Sequence, residues 1–301
     1  MYHQWRAAVM LVLAVALGSW TVSCTDSRPP VSPDAPRPVE VRLSAERAQA
    51  AAAKGALPHG RANVQWMAEV HTAAMQEVTA HRREWAALPH AARCGKIEGV
   101  IRSFVPEIAA RTGVADKAFF EAAITAARSR IDCAGNGPLS IWGVPRRAFV
   151  YAQSDDIVTG VYTNYTGALE AAMSIDGTPD EMAAGLDRVL VTAAGINPAD
   201  YEVLAGLAAL GASSAYYWYE YEQAGGWGGG GGGGDLAEPM AIFRRGRCGY
   251  WCRVGWSDLV GSVSGAASVV YGSGGTAVVA PGVVLAGAAI GGAAGSAAAA
   301  F

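Results

Sequence analysis

The stretch "GAAIGGAAG", residues 287–295, sets Gly287, Gly291 and Gly295 four residues apart. A step of four returns to the same side of an α-helix, so the three glycines form a ridge with no side chains. Upstream, Gly261, Gly265, Ser268, Gly272 and Gly275 recur at steps of four, three, four and three. Ala280, Pro281 and Gly282 break the run between the two sets. The reading is a helical hairpin closed at Pro281. Gly261, Gly265 and Gly272 lie on one helix and Gly287, Gly291 and Gly295 on the other, where backbones can approach closely along a packing seam. Each half holds roughly 20 residues, enough to match about 30 Å of hydrocarbon. No charged side chain occurs from 259 to 301. Membrane span, packing seam and released peptide are the three uses such a tail could serve.

Composition bounds the rest. The chain has 301 residues, 51% apolar and only 16% charged, against a usual charged share of about 25%. The deficit is concentrated from residue 236 onward. There Arg244, Arg245, Arg247 and Arg253 face only Glu238 and Asp258, a net of +2 that leaves −5 of the total −3 for the rest. Neither part has the clustered basic face of a nucleic-acid binder, so no nucleic-acid partner is expected.

The first 24 residues read as a targeting signal. Arg6 supplies the cation, and residues 7–17 are an unbroken apolar run, too short to span a bilayer. "TVSC", residues 21–24, follows. It resembles the lipobox of bacterial lipoproteins, with Val22, Ser23 and Cys24 in place and Thr21 where Leu is usual. The resemblance implies lipidation of Cys24, which would become the mature N-terminus. Five cysteines in an exported chain leave one over. With Cys24 acylated, Cys94, Cys133, Cys248 and Cys252 remain, and an oxidising compartment lets them pair. Of three connectivities, Cys94–Cys133 with Cys248–Cys252 keeps each pair within one region. A metal site at Cys248 and Cys252 lacks further ligands nearby, so no metal and no cofactor is expected.

Residues 25–42 are rich in proline and suit an extended tether. From 43 to 223 apolar residues recur at helical spacing, giving about six helices. Val64, Met67, Val70, His71, Ala74, Met75 and Val78 make one stripe. Ile97, Ile101, Phe104 and Ile108 make another around Pro106, and Phe119, Phe120, Ile124 and Ile131 a third. "TPDE" offers Thr178 as an N-cap with Glu181 completing a capping box, and "NPAD" repeats the start with Asn197. Thr112-Gly113 reads as a helix end, with a new start near Asp116. Residues 142–151 suit a loop or short strand, and Asp155 with Asp156 a solvated loop. "YYWYEY", residues 216–221, suits packing of the junction between body and tail, with a belt at a membrane interface or a stacking face for a sugar or peptide as the other two readings. Glycines from 225 to 234 mark a flexible linker. The fold class is therefore all-α: an irregular helical bundle at 43–223, a linker at 224–235, and a glycine-rich helical hairpin within 236–301.

No catalytic motif stands out. Glu77 and His81 share a helix face as a surface pair, and no phosphate loop, nucleophile elbow or nicotinamide fingerprint occurs. The tail resembles the glycine-zipper segments of small bacterial envelope lipoproteins, which also combine a signal, a lipobox and paired glycine-rich helices. That resemblance implies a non-enzymatic protein of the cell envelope, lipid-anchored on the periplasmic side or outer surface. Its partners would be the membrane, through the anchor and the tail, and a second copy or another envelope protein. The alternative is a carrier of a membrane-active, bacteriocin-like peptide formed by the tail.

Overall fold

The structure is a computed structural model, and it describes residues 42–131, 156–226, 250–272 and 280–301. Ten α-helices lie among them, with no strand. They are α1 (Ala45–Ala53), α2 (Trp66–Ala80), α3 (Arg82–Ala86), α4 (His90–Thr112), α5 (Lys117–Arg130), α6 (Asp156–Met173), α7 (Pro179–Thr192), α8 (Pro198–Gln223), α9 (Tyr250–Gly272) and α10 (Pro281–Ala299). A 3₁₀ turn at Ala62–Val64 leads into α2.

Short-range chemistry sets the boundaries. Ser44, Asp116 and Asn197 each accept a backbone N–H at the start of α1, α5 and α8. Thr178 and Glu181 form the reciprocal capping box that starts α7. Gly113 stops α4 in the left-handed region at φ 72°, where a Cβ would be strained. Pro106 sits inside α4, at the cost of one backbone donor. Two expectations need correction. Eight α-helices, rather than about six, lie among the described residues between 43 and 223, because α3 is a separate short helix and α1 precedes the first periodic stripe. Asp156 opens α6 rather than lying in a loop. Residues 142–151, the prolines of 25–42 and the glycines at 227–234 lie outside the described residues.

The helices divide by how their apolar residues are arranged. α2 buries Met67, Val70, Ala74, Met75 and Val78 along one side, and α7 buries Met182, Leu186 and Leu190. These helices have a wet face and a dry face. α8 and α10 differ. α8 is buried at every position from Val203 to Ala215, and α10 from Val284 to Ala298. A helix apolar on all sides belongs at the centre of a bundle or in a membrane. Here both are central.

The hairpin of α9 and α10 is built into this centre. α10 packs against α9, α2, α4, α5 and α8, and α9 packs against α8, α5 and α6. Residues 40–301 form one compact unit, with one apolar cluster running from Leu43 through the hairpin to Ala300. The glycine-rich linker region at 224–235 therefore does not divide two separate cores. What the seam packs against is the helical body itself. α10 runs antiparallel to α4, with Gly282 against the Thr112 carbonyl at one end and Phe301 beside Arg93 at the other.

Candidate functional site

The seam is a matter of atomic distance. A Cβ on Gly265 would be driven into the Gly287 carbonyl, 2.9 Å from its carbon, and one on Gly291 would lie 2.8 Å from the Gly265 Cα. A Cβ on Gly295 would lie 2.7 Å from the Ser257 carbonyl oxygen. Gly261 and Gly287 are equally closed, against Gly291 and Gly265. Five of the six seam glycines read from the sequence thus meet across α9 and α10, where two backbones touch. Gly272 is the last residue of α9. Gly292 and Gly282 were not singled out by the four-residue step. Gly292 faces Ser262 and Leu210, and Gly282 lets α10 abut α4.

A polar cluster lies where α2, α8, α9 and α10 meet. Asp258 on α9 is 0% exposed. Its Oδ2 accepts from the Trp218 indole at 2.8 Å and from the Ser214 hydroxyl, both on α8. The same oxygen is 3.1 Å from Nε2 of His71 on α2. His71 Nε2 is also 2.7 Å from Oγ of Ser296 on α10. His71 Nε2 therefore faces the Ser296 hydroxyl at hydrogen-bond distance and the Asp258 carboxylate at ion-pair distance. Above this cluster Tyr217 and Thr79 join hydroxyls at 2.8 Å, and burial pushes the Tyr217 phenol up.

Serine, histidine and aspartate are the residues of a nucleophile relay, but this arrangement cannot act as one. A relay needs the serine on one imidazole nitrogen and the carboxylate on the other. Here both converge on Nε2, and His71 Nδ1 has no hydrogen bond. A proton leaving Ser296 has no path through the ring to Asp258. All of the cluster's side chains are also sealed from solvent. The geometry does something else: one body side chain, His71, holds both helices of the hairpin.

No family model matches this chain, nor does any curated protein or solved structure.

The aromatic stretch fixes the same junction. Tyr217, Trp218 and Tyr221 are buried, and neighbouring rings meet edge-on at 5.2 and 5.7 Å. Tyr219 meets Trp251 of α9 edge-on at 5.5 Å. At the far end of α10, Arg82 Nε donates to the Ala300 carbonyl at 2.6 Å, and Phe301 packs near Trp85 and under Arg93.

The remaining residues read from the sequence are placed as follows. Glu77 and His81 pair on the surface at 3.3 Å. Cys94 and Cys252 are buried. Cys24, Cys133 and Cys248 lie outside the described residues. Among those residues, no group of three His, Cys, Asp or Glu side chains could hold a metal ion. A surface groove of about 480 Å³ runs between α6 and α7, lined by Tyr165, Ala168, Ile175, Arg188 and Val189 among others.

Proposed function

We infer that this chain is an exported, lipid-anchored protein of a bacterial cell envelope, acting through structural or binding contacts rather than catalysis. The observation that supports a structural role is the meeting of His71, Ser296 and Asp258, which joins α2 to both helices of the hairpin. The anchor rests on residues 1–24, where a short apolar run leads to "TVSC" and Cys24. Residues 25–42 would then hold the bundle away from the membrane. Cys94 pairs with Cys133, and Cys248 with Cys252, in this reading. The burial of Cys94 and Cys252 supports it. The groove between α6 and α7 offers a face for a second copy or another envelope protein.

Mass spectrometry of the mature N-terminus tests the anchor. The expected species starts at Cys24 and carries acyl chains, and Cys24→Ala abolishes its partition into a detergent phase. A mature chain with an unmodified N-terminus elsewhere would overturn the reading.

A further inference from the structure

We propose that the α6–α7 face is a dimer interface, whose occupant is a second copy of this chain turned antiparallel about a two-fold axis at Ala184 and Gly185. The surface groove between the two helices holds about 480 Å³. Its walls are mostly small or apolar, with Ala168 and Ala171 from α6, Ile175 just past it and Val189 from α7. Val191, on the outer side of α7, is the one large apolar side chain exposed among the described residues, at 49%. Small walls and an exposed valine suit a helix from outside and do not by themselves say which helix.

The charges on α7 say which. Glu181, Ala184, Arg188 and Val191 are exposed at steps of three, four and three, so they share one face. A Cβ added at Gly185 would lie 3.6 Å from Arg188 Nη2, so the guanidinium lies back over the groove. Among the described residues Arg188 makes no ion pair. Glu181 accepts the Thr178 N–H of its own capping box at 2.7 Å, and a carboxylate keeps further lone pairs for a guanidinium. The two charges stand about two turns apart. A parallel second copy would set Arg188 against Arg188. An antiparallel copy sets each Arg188 against the other's Glu181. It also brings the two Ala184 side chains to the axis, where nothing bulky keeps the helices apart. One surface thus supplies both halves of its own complement.

The size of the face sets the strength. α7 has 14 residues and is about 21 Å long. With α6 beside it the face covers about 400 Å² per copy, at the low end for a specific interface. The dimer is therefore reversible, and copies held on one surface by the proposed anchor would meet at a raised local concentration. The inference rests on the contact-based reading above and names its partner, but it needs no anchor. It is tested on the full chain with Cys24→Ser, so its failure and the failure of the anchor are separate results.

Sedimentation velocity follows the Cys24→Ser chain over a range of concentrations. Mild oxidation then traps added cysteines, read by peptide mass spectrometry. Ala184 and Thr192 are both exposed, so a cysteine at either leaves the core untouched. The expected result is a mean mass that rises with concentration toward twice the monomer, and a 184–184 disulfide in Ala184→Cys. Thr192→Cys gives no such bridge, because an antiparallel pair holds the two positions about 22 Å apart. Arg188→Glu lowers the Ala184→Cys yield at least about fivefold. A chain that stays monomeric at every concentration, or that yields no 184–184 bridge, overturns the proposal and leaves the groove to another protein. So does bridging at 192 equal to that at 184, which marks random collision or a parallel pair. A yield that Arg188→Glu leaves unchanged overturns it too.

Discussion

His71 Nε2 stands 3.1 Å from Asp258 Oδ2, and neither side chain exposes more than 1% of its surface. A carboxylate this deep is tolerable only while its donors stay in place. Asp258→Ala removes the acceptor of the Trp218 indole and the Ser214 hydroxyl at once and strands two buried donors. The expected loss is about 3–5 kcal/mol of stability. His71→Ala leaves Asp258 with two donors on α8, and the expected loss is smaller, about 2 kcal/mol. Urea unfolding of the full chain followed by circular dichroism measures both. Equal losses would mean that Asp258 gains nothing from α8.

Glycines of the chain divide sharply by what surrounds them. Gly265→Ala forces the two backbones of the seam apart, and the expected net loss is about 2–3 kcal/mol even after the better helix propensity of alanine. Gly95 and Gly99 lie on the exposed side of α4, with nothing within 4 Å of an added Cβ. There Gly95→Ala and Gly99→Ala each gain about 0.5–1 kcal/mol. Opposite signs in thermal melts of these variants check the seam against plain helix propensity.

Local signals were the legible part of this fold. Thr178, Asn197, Asp116 and Gly113 act through bonds within a few residues, so their side chains alone announce them. The glycine steps of the hairpin were legible because a close approach of backbones excludes every other residue type. What surrounds the hairpin was not. A stripe such as Met67, Val70, Ala74 and Met75 says that something covers α2 and does not say what. His71 fell within that stripe and read as one more core position. Its partner Ser296 lies 225 positions away, and Asp258 looked like a single stray charge before an apolar tail. Each residue was visible, but the pairing existed only in three dimensions.

Glu170 on α6 supplies a pH dependence. Burial pushes its carboxyl up to about 7, and Oε1 has no hydrogen bond. The folded chain therefore binds this proton more tightly than the unfolded chain, whose carboxyl keeps its ordinary 4.5. Stability from this group is full below about 4.5 and falls as pH rises through about 7. Partial exposure limits the loss to about 1–2 kcal/mol. Glu170→Gln is expected to raise Tm at pH 8 and leave it unchanged at pH 4. A gain of equal size at both values would show that packing, not ionisation, sets the effect.

The far end of the hairpin has a clamp of its own. Arg82 Nε reaches the Ala300 carbonyl at 2.6 Å, an orphan acceptor just past the last turn of α10. Phe301 then lies with its ring 6.3 Å from Trp85, while the Arg93 guanidinium stands 5.5 Å from the same ring. Trp85 is itself stacked on His81 at 5.3 Å, so the clamp is backed by a second ring. Phe301→Ala removes the ring from both neighbours, and the expected loss is about 1–2 kcal/mol. Because the seam lies further along α10, the damage stays local. Amides in the last turn of α10 are expected to exchange about tenfold faster, with those around Gly287 and Gly291 unchanged. Equal acceleration along the whole of α10 would show instead that clamp and seam open together.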